Sequence, residues 1–185
     1  MKRIYLSLLN LIVSLNNLYA QRKPLWATPV KAKFVNNLHK IDECVYRAAQ
    51  PDVEAYKELE ELGVKEILSL RYWANNKMGA FETNLKFHHV EMLASKCQWD
   101  KIVEALLIIK NRQGPIVIHC KHGADRTGLI AALYRIVFQD WDKEAAIDEL
   151  ENGGYNFNTT YSNILEYIRK IDVPALKSVV MGQNL

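Results

Sequence analysis

Residues 115–128 read PIVIHCKHGADRTG. Pro115–His119 is short, apolar and rich in β-branched side chains, as expected of a parallel strand buried on both faces. Arg126–Gln139 follows with a long apolar helical pattern, so Cys120–Asp125 is a tight connection from strand to helix. Working outward, the same alternation recurs. Cys44–Ala48 reads as a short strand. Pro51–Leu62 reads as a helix on Val53, Tyr56, Leu59 and Leu62, stopped by Gly63. Val64–Leu70 and Phe87–Leu93 are strand candidates. Trp99–Arg112, Lys143–Leu150 and Ser162–Lys170 are helix candidates, the last lying before Pro174. Strands alternating with helices predict an α/β fold, a central, mainly parallel sheet flanked by helices.

The chain has 185 residues, 49% of them apolar and 24% charged, with a net charge of +3. That suits one well-buried domain and excludes a disordered chain, a collagen-like repeat or a coiled coil. The small positive excess gives no argument for nucleic acid or anionic lipid as a partner. Lys2 and Arg3 precede Ile4–Leu15, in which nine of twelve residues are apolar, and Ala20 follows. Residues 1–20 therefore read as a secretory signal peptide, which implies a periplasmic or secreted protein with no stable membrane insertion after cleavage. A leader that is not recognised or cleaved would leave the chain cytoplasmic. Ser7, Asn10 and Ser14 interrupt the apolar run and make it a poor bilayer span. Residues 21–43 form a mixed arm whose Pro24 and Pro29 favour extended backbone. The domain then runs over 44–175, with a tail at 176–185. The cysteines are Cys44, Cys97 and Cys120. Cys44 and Cys97 are open to two readings, a disulfide or two buried thiols.

The loop carries chemistry. A strand–loop–helix of this form points several backbone N–H groups, and the positive end of the helix dipole, into one concavity. Such a place binds a phosphate dianion and stabilises a thiolate, which makes Cys120 a nucleophile candidate. Arg126 returns to the same concavity, where its planar fork can hold two phosphoryl oxygens. Gly123 and Gly128 permit tight turns and close backbone approach. Thr127 can donate its hydroxyl to the cysteine sulfur. Lys121 and His122 make the mouth basic.

These residues resemble the signature of the cysteine-dependent tyrosine phosphatases, a His-Cys pair, five residues, then Arg and Ser or Thr. Val45–Tyr46–Arg47–Ala48–Ala49–Gln50–Pro51 is similar to the Tyr-Arg-Ser-x-Gln-Pro segment of compact bacterial, plant and fungal dual-specificity phosphatases. Gly63–Arg71 resembles their next strand, and Pro115–Asn156 resembles the exported bacterial members most of all. The resemblance covers roughly residues 44–175 and implies a phosphatase of phosphomonoesters, chiefly protein phosphotyrosine with phosphoserine and phosphothreonine. It implies a phosphocysteine intermediate and no cofactor or metal. Cys120 would be the nucleophile, Arg126 the phosphate clamp and Thr127 an aid to hydrolysis. The amides of Lys121, His122, Gly123, Ala124, Asp125 and Arg126 would form the cradle, and His119 would orient the loop without acting as the base.

The family also supplies an aspartate from a separate loop to protonate the leaving oxygen. Asp52 and Asp100 are the only aspartates between Arg47 and Cys120. Asp100 is the candidate acid, although an acidic residue in the first helical turn is also favourable in itself. Glu91 is a second candidate, and Asp125 could instead position water or substrate. Arg47 and Arg71 are open to phosphate-binding roles or to ordinary surface and hydrogen-bonding ones. Trp73, Trp99 and Trp141 read as core or rim packing. His88 and His89, neighbours on a strand, should face opposite sides and not share a metal. Two other functions fit the same loop, a phosphatase of inositol phosphates or pyrophosphates and a phosphate-binding pseudophosphatase. A rhodanese-like sulfurtransferase is disfavoured by the spacing to Arg126.

Overall fold

The structure, a computed structural model, describes residue 23 and residues 25–73 and 82–182. The leader expected at residues 1–20 lies outside these. Six strands, β1 (Thr28–Pro29), β2 (His39–Lys40), β3 (Val45–Ala48), β4 (Glu66–Ser69), β5 (Lys86–His89) and β6 (Ile116–His119), form one mixed sheet in the order β1-β2-β3-β6-β4-β5. The last four are parallel, and β2 and then β1 extend the sheet from β3 through two antiparallel pairings. Among the described residues there are six helices, in chain order α1 (Val53–Glu61), α2 (Trp99–Lys110), α3 (Asp125–Phe138), α4 (Lys143–Asn152), α5 (Ser162–Lys170) and α6 (Val173–Met181).

The uniform apolarity of β6 has a direct cause. Ile116 and Ile118 enter the core shared with α2 through α6, while Val117 faces Ala55, Tyr56 and Leu59 of α1 on the other side. β4 behaves likewise, with Leu68 on the first side and Ile67 on the second. β6 lies at the centre, its His119 in register with Ala48 of β3 and Ser69 of β4. The chain crosses from β3 over β6 to β4 through α1 on one face and returns from β5 to β6 through α2 on the other, so the direction of winding reverses around β6. Ligands of parallel α/β sheets bind at the carboxyl ends of strands at such a switch point.

The expected elements are all present, with ends shifted by up to four residues, the largest shift being that of the strand expected over Phe87–Leu93, which ends at His89. Asp52 starts α1 and Asp142 starts α4, each accepting the N–H three residues on. Two expected boundaries differ. Of the segment expected as an arm, residues 25–43 pack into the fold. Trp26, Ala27, Val35 and Leu38 are buried, and β1 and β2 belong to the sheet. The anchor is a buried ion pair that no local pattern reveals. Arg135 of α3 binds Glu149 of α4 at 2.8 and 2.9 Å, while its guanidinium also donates to the Leu25 carbonyl and Glu149 accepts the Ala27 N–H at 2.6 Å. Nor do residues from 176 form a tail as far as Met181. Asp172 caps α6, Pro174 occupies its first turn, and Leu176 and Val180 are buried. Proline there starts a helix because the first turn needs no N–H.

The three cysteines are free. Cys44 immediately precedes β3, and the Cys97 sulfur lies beside Asn163 of α5. His88 binds Glu66 while His89 donates to the Arg71 carbonyl, so the two rings diverge. Trp141 packs over the Arg135 guanidinium, whereas Trp73 is 76% exposed with its ring edge-on to Tyr72.

Candidate active site

β6 ends at His119 and α3 begins at Asp125, so Cys120–Ala124 bridges the carboxyl end of the central strand and the amino end of a 14-residue helix. The residue at the N-cap is Ala124, with no side-chain cap bond. The first-turn N–H groups of α3 are thus left for a ligand. Gly123 has φ +70°, and a Cβ there would strike the Ala48–Ala49 peptide of β3. Only glycine lets the loop sit this close to the sheet.

The loop is held from behind, and this aims its amides. The Lys121 carbonyl accepts the Gln50 N–H at 3.2 Å, and the His122 carbonyl accepts Nδ2 of Asn37 at 2.9 Å. The Gly123 and Ala124 carbonyls accept Nη2 of Arg47 at 2.8 and 3.4 Å. In a trans peptide the N–H points opposite to the C=O. Drawing four consecutive carbonyls outward therefore turns the N–H groups of His122, Gly123, Ala124 and Asp125 inward.

Cys120 sits at the base of this cradle, 2% exposed. Burial pushes its thiol up, but the Thr127 hydroxyl and N–H, the Arg126 charge and the His122 N–H outweigh it, and the net shift is downward. Arg126 is fixed across the mouth, its Nη1 donating to the carbonyls of Leu70 at 3.3 Å and Met92 at 3.1 Å. His119 is fully buried, and desolvation pulls it down to about 4, so it is neutral at pH 7. Its Nδ1–H donates to the Cys120 carbonyl at 3.2 Å, which fits a loop-orienting part.

Among the described residues, Arg47 Nε, His119 Nε2 and Arg126 Nε are buried without a hydrogen-bond partner, and the buried Thr127 hydroxyl has none but the Cys120 sulfur. Three belong to the loop and its flanks, and the fourth to the arginine beneath it. Folded proteins rarely leave such groups unpaired away from functional sites.

Of the residues that the sequence marks, Cys120, Gly123, Ala124, Asp125, Arg126 and Thr127 converge, with Lys121 and His122 exposed at the mouth. Asp125 has a structural partner, since its Oδ1 accepts the Asn158 N–H at 2.9 Å. Asp100 is exposed in the first turn of α2, and Glu91 is exposed beside Met92, whose carbonyl Arg126 holds. Among the described residues neither carboxylate is hydrogen-bonded to the loop. Arg71 bonds Gln50, which places it behind the loop. Asn37 and Tyr155 carry no mark in the sequence, and only their long-range contacts reveal them. Arg47 does carry a signal, a charge at an inward-facing strand position.

Comparison with known proteins agrees with this geometry. Residues 34–181 match the family model of the tyrosine phosphatases. The dual specificity protein phosphatase TpbA of Pseudomonas aeruginosa is 33% identical over 170 residues, which cover 85% of this chain and 72% of that one. The crystal structure of TpbA in complex with phosphotyrosine superposes with a TM-score of 0.79 at 30% identity, covering 88% of this chain and all of the other. The inositol diphosphatase DSP3 of Arabidopsis thaliana is 24% identical, the match covering 80% of this chain and 75% of that one. With a family match that runs from β2 through α6 and includes the loop, this chain belongs to the tyrosine phosphatase family, as a cysteine-based phosphatase related to the dual-specificity branch.

Proposed function

We propose that the protein hydrolyses phosphomonoesters, chiefly protein phosphotyrosine with phosphoserine and phosphothreonine also accepted, through a phosphocysteine. The observation that carries this reading is the uncapped amino end of α3, its inward amides lying over an acidified thiol with Arg126 alongside. The substrate phosphate would take the place of the absent cap, its equatorial oxygens held by the loop N–H groups and the Arg126 fork. The Cys120 sulfur attacks phosphorus in line and the bond to the leaving oxygen breaks, that oxygen taking a proton from an acid. Asp100 is the first candidate for this acid and Glu91 the second. Water then attacks phosphorus, the S–P bond breaks, and phosphate leaves with the thiolate restored. The Thr127 hydroxyl supports both steps by stabilising the sulfur anion.

The leader pattern of residues 1–20 supports action outside the cytoplasm. The TpbA complex supports phosphotyrosine as substrate, since its bound ligand is phosphotyrosine and its identity to this chain is 30%. A second reading, an inositol phosphate or pyrophosphate phosphatase, is favoured by the exposed Lys121 and His122 at the mouth and by the plant inositol diphosphatase relative. The test is hydrolysis of p-nitrophenyl phosphate by reduced residues 21–185 beside Cys120→Ser, followed by phosphopeptides against inositol pyrophosphates. Turnover lost in Cys120→Ser supports thiolate chemistry, and the preferred second substrate chooses between the readings. A folded wild type no faster than the mutant would leave a phosphate-binding module.

A further inference from the structure

Strand alternation calls for an apolar side chain where Arg47 stands. Val45, two residues before it on β3, lies in the core beneath α3, and Arg47 points the same way with 2% exposure. Its hydrogen bonds both go to the phosphate loop, from Nη2 to the carbonyls of Gly123 and Ala124. The guanidinium carbon lies 3.7 Å from the centroid of the Tyr155 ring. A Cβ on Gly128 would meet Arg47 Nη2 at 3.7 Å, which sets the charge against the first turn of α3. Among the described residues no carboxylate is hydrogen-bonded to it.

A cation is costly at this place. The helix dipole presents its positive end there, and burial opposes the charge enough to pull Arg47 down to about 10. Around it stand Tyr155, Glu149, Cys120 and a second cation, Arg135. Glu149 is already engaged by Arg135, the Ala27 N–H and the Tyr155 hydroxyl. The Arg47 Nε left without a partner is consistent with a group kept for electrostatics and loop geometry.

We propose that Arg47 is a positioning residue of the phosphate loop: it draws the Gly123 carbonyl outward, so that the Ala124 amide faces the phosphate, it adds a second, longer bond to the Ala124 carbonyl that the Gly128 N–H holds at 2.7 Å, and it is the buried counter-charge for the anions above the loop. The inference rests on the phosphatase reading for the identity of those anions. Lysine would keep the charge but could not stack flat on Tyr155 while reaching both carbonyls.

The test compares full-length wild type, Arg47→Met and Arg47→Lys by the rate at which neutral iodoacetamide alkylates Cys120. The rate is followed on the Cys120 peptide by mass spectrometry, against pH and against added inorganic phosphate. This readout needs no turnover. The groups acting on Cys120 directly, Arg126, Thr127 and the His122 N–H, are unchanged in both variants. Arg47→Met should move the alkylation midpoint up by about one pH unit and raise the phosphate needed for half-protection about tenfold or more. Arg47→Lys should keep the midpoint near wild type while weakening protection several-fold. A folded Arg47→Met with wild-type midpoint and protection overturns the proposal. Should Arg47→Met fail to fold, wild-type protection in Arg47→Lys overturns it and weakened protection supports it. Phosphate protection without hydrolysis of any phosphomonoester would sink the catalytic reading and leave this one standing.

Discussion

Gly123→Ala is the sharpest perturbation of the loop, because two separate costs can be worked out. At φ +70° an alanine loses about 1–2 kcal/mol to its own backbone. Its Cβ would also lie 2.5 Å from the Ala48 carbonyl carbon and 2.7 Å from the Ala49 nitrogen, where real contacts do not fall below 3.0 Å. The loop must therefore withdraw from β3 by about 0.5 Å, straining the bonds from Gln50, Asn37 and Arg47 that aim its amides. One weakened hydrogen bond adds about 1 kcal/mol, for a total near 2–3 kcal/mol. Misplacing reacting groups by an ångström costs about 100-fold, so half that displacement should lower kcat/KM roughly 10- to 100-fold. Gly63→Ala is the control. Gly63 has φ +87° with nothing within 4 Å of a Cβ, so it should lose only the backbone cost of about 1–2 kcal/mol and no activity. The assay pairs urea unfolding with p-nitrophenyl phosphate kinetics for both variants. A folded Gly123→Ala within twofold of wild type would refute the argument that the loop is wedged against β3 to aim its amides.

Buried charge and the unassigned acid can be tested in the same way. His119 binds its proton at about 4 in the native state against an ordinary 6.5, so unfolding takes up a proton between those values. Stability should fall as pH drops through that window, by about 3 kcal/mol in all, and His119→Gln should flatten the slope of urea midpoints measured at pH 7 and 4.5. The depressed Cys120 thiol contributes in the same direction, fully present above its unfolded value and lost as pH falls through the native one. Arg135→Met strands a buried Glu149 and should cost about 3–5 kcal/mol in denaturant unfolding. A loss under about 1 kcal/mol would show that the Leu25–Ala27 segment does not depend on the pair. If Asp100 is the acid, Asp100→Asn should slow phosphoserine peptide turnover by about 10²–10⁴-fold while sparing p-nitrophenyl phosphate, whose leaving group needs little help. Turnover that falls in Glu91→Gln and not in Asp100→Asn would move the role to Glu91.

Much of the fold is readable because its signals are local. Val117 and its neighbours on β6 must be apolar when both faces are covered, and Ser162–Lys170 carries its helical stripe in nine residues. The loop is readable for the same reason. Cys120, Gly123, Arg126 and Thr127 lie within eight consecutive residues, and a strand leading into a helix brings them together whatever the rest of the chain does. Pro174 misleads because proline ends one helix and starts another equally well, and only the burial of Leu176 and Val180 distinguishes the two. The family's acid is not readable as one residue, since neither Asp100 nor Glu91 has a partner that fixes it beside the loop.

The sequence by itself determined the α/β frame and the loop that sets Cys120 beside Arg126, since each is written in residues close enough to constrain one another through the backbone. Only the tertiary structure decided what stands behind the loop. Asn37, Arg47 and Tyr155 come from three segments more than a hundred residues apart at their extremes. The Arg135–Glu149 pair joins two helices to the segment before β1. Contacts of that range leave no periodicity in the chain. They exist because buried carbonyls and charges must find partners, and the partners are whatever the packed sheet and helices bring within reach.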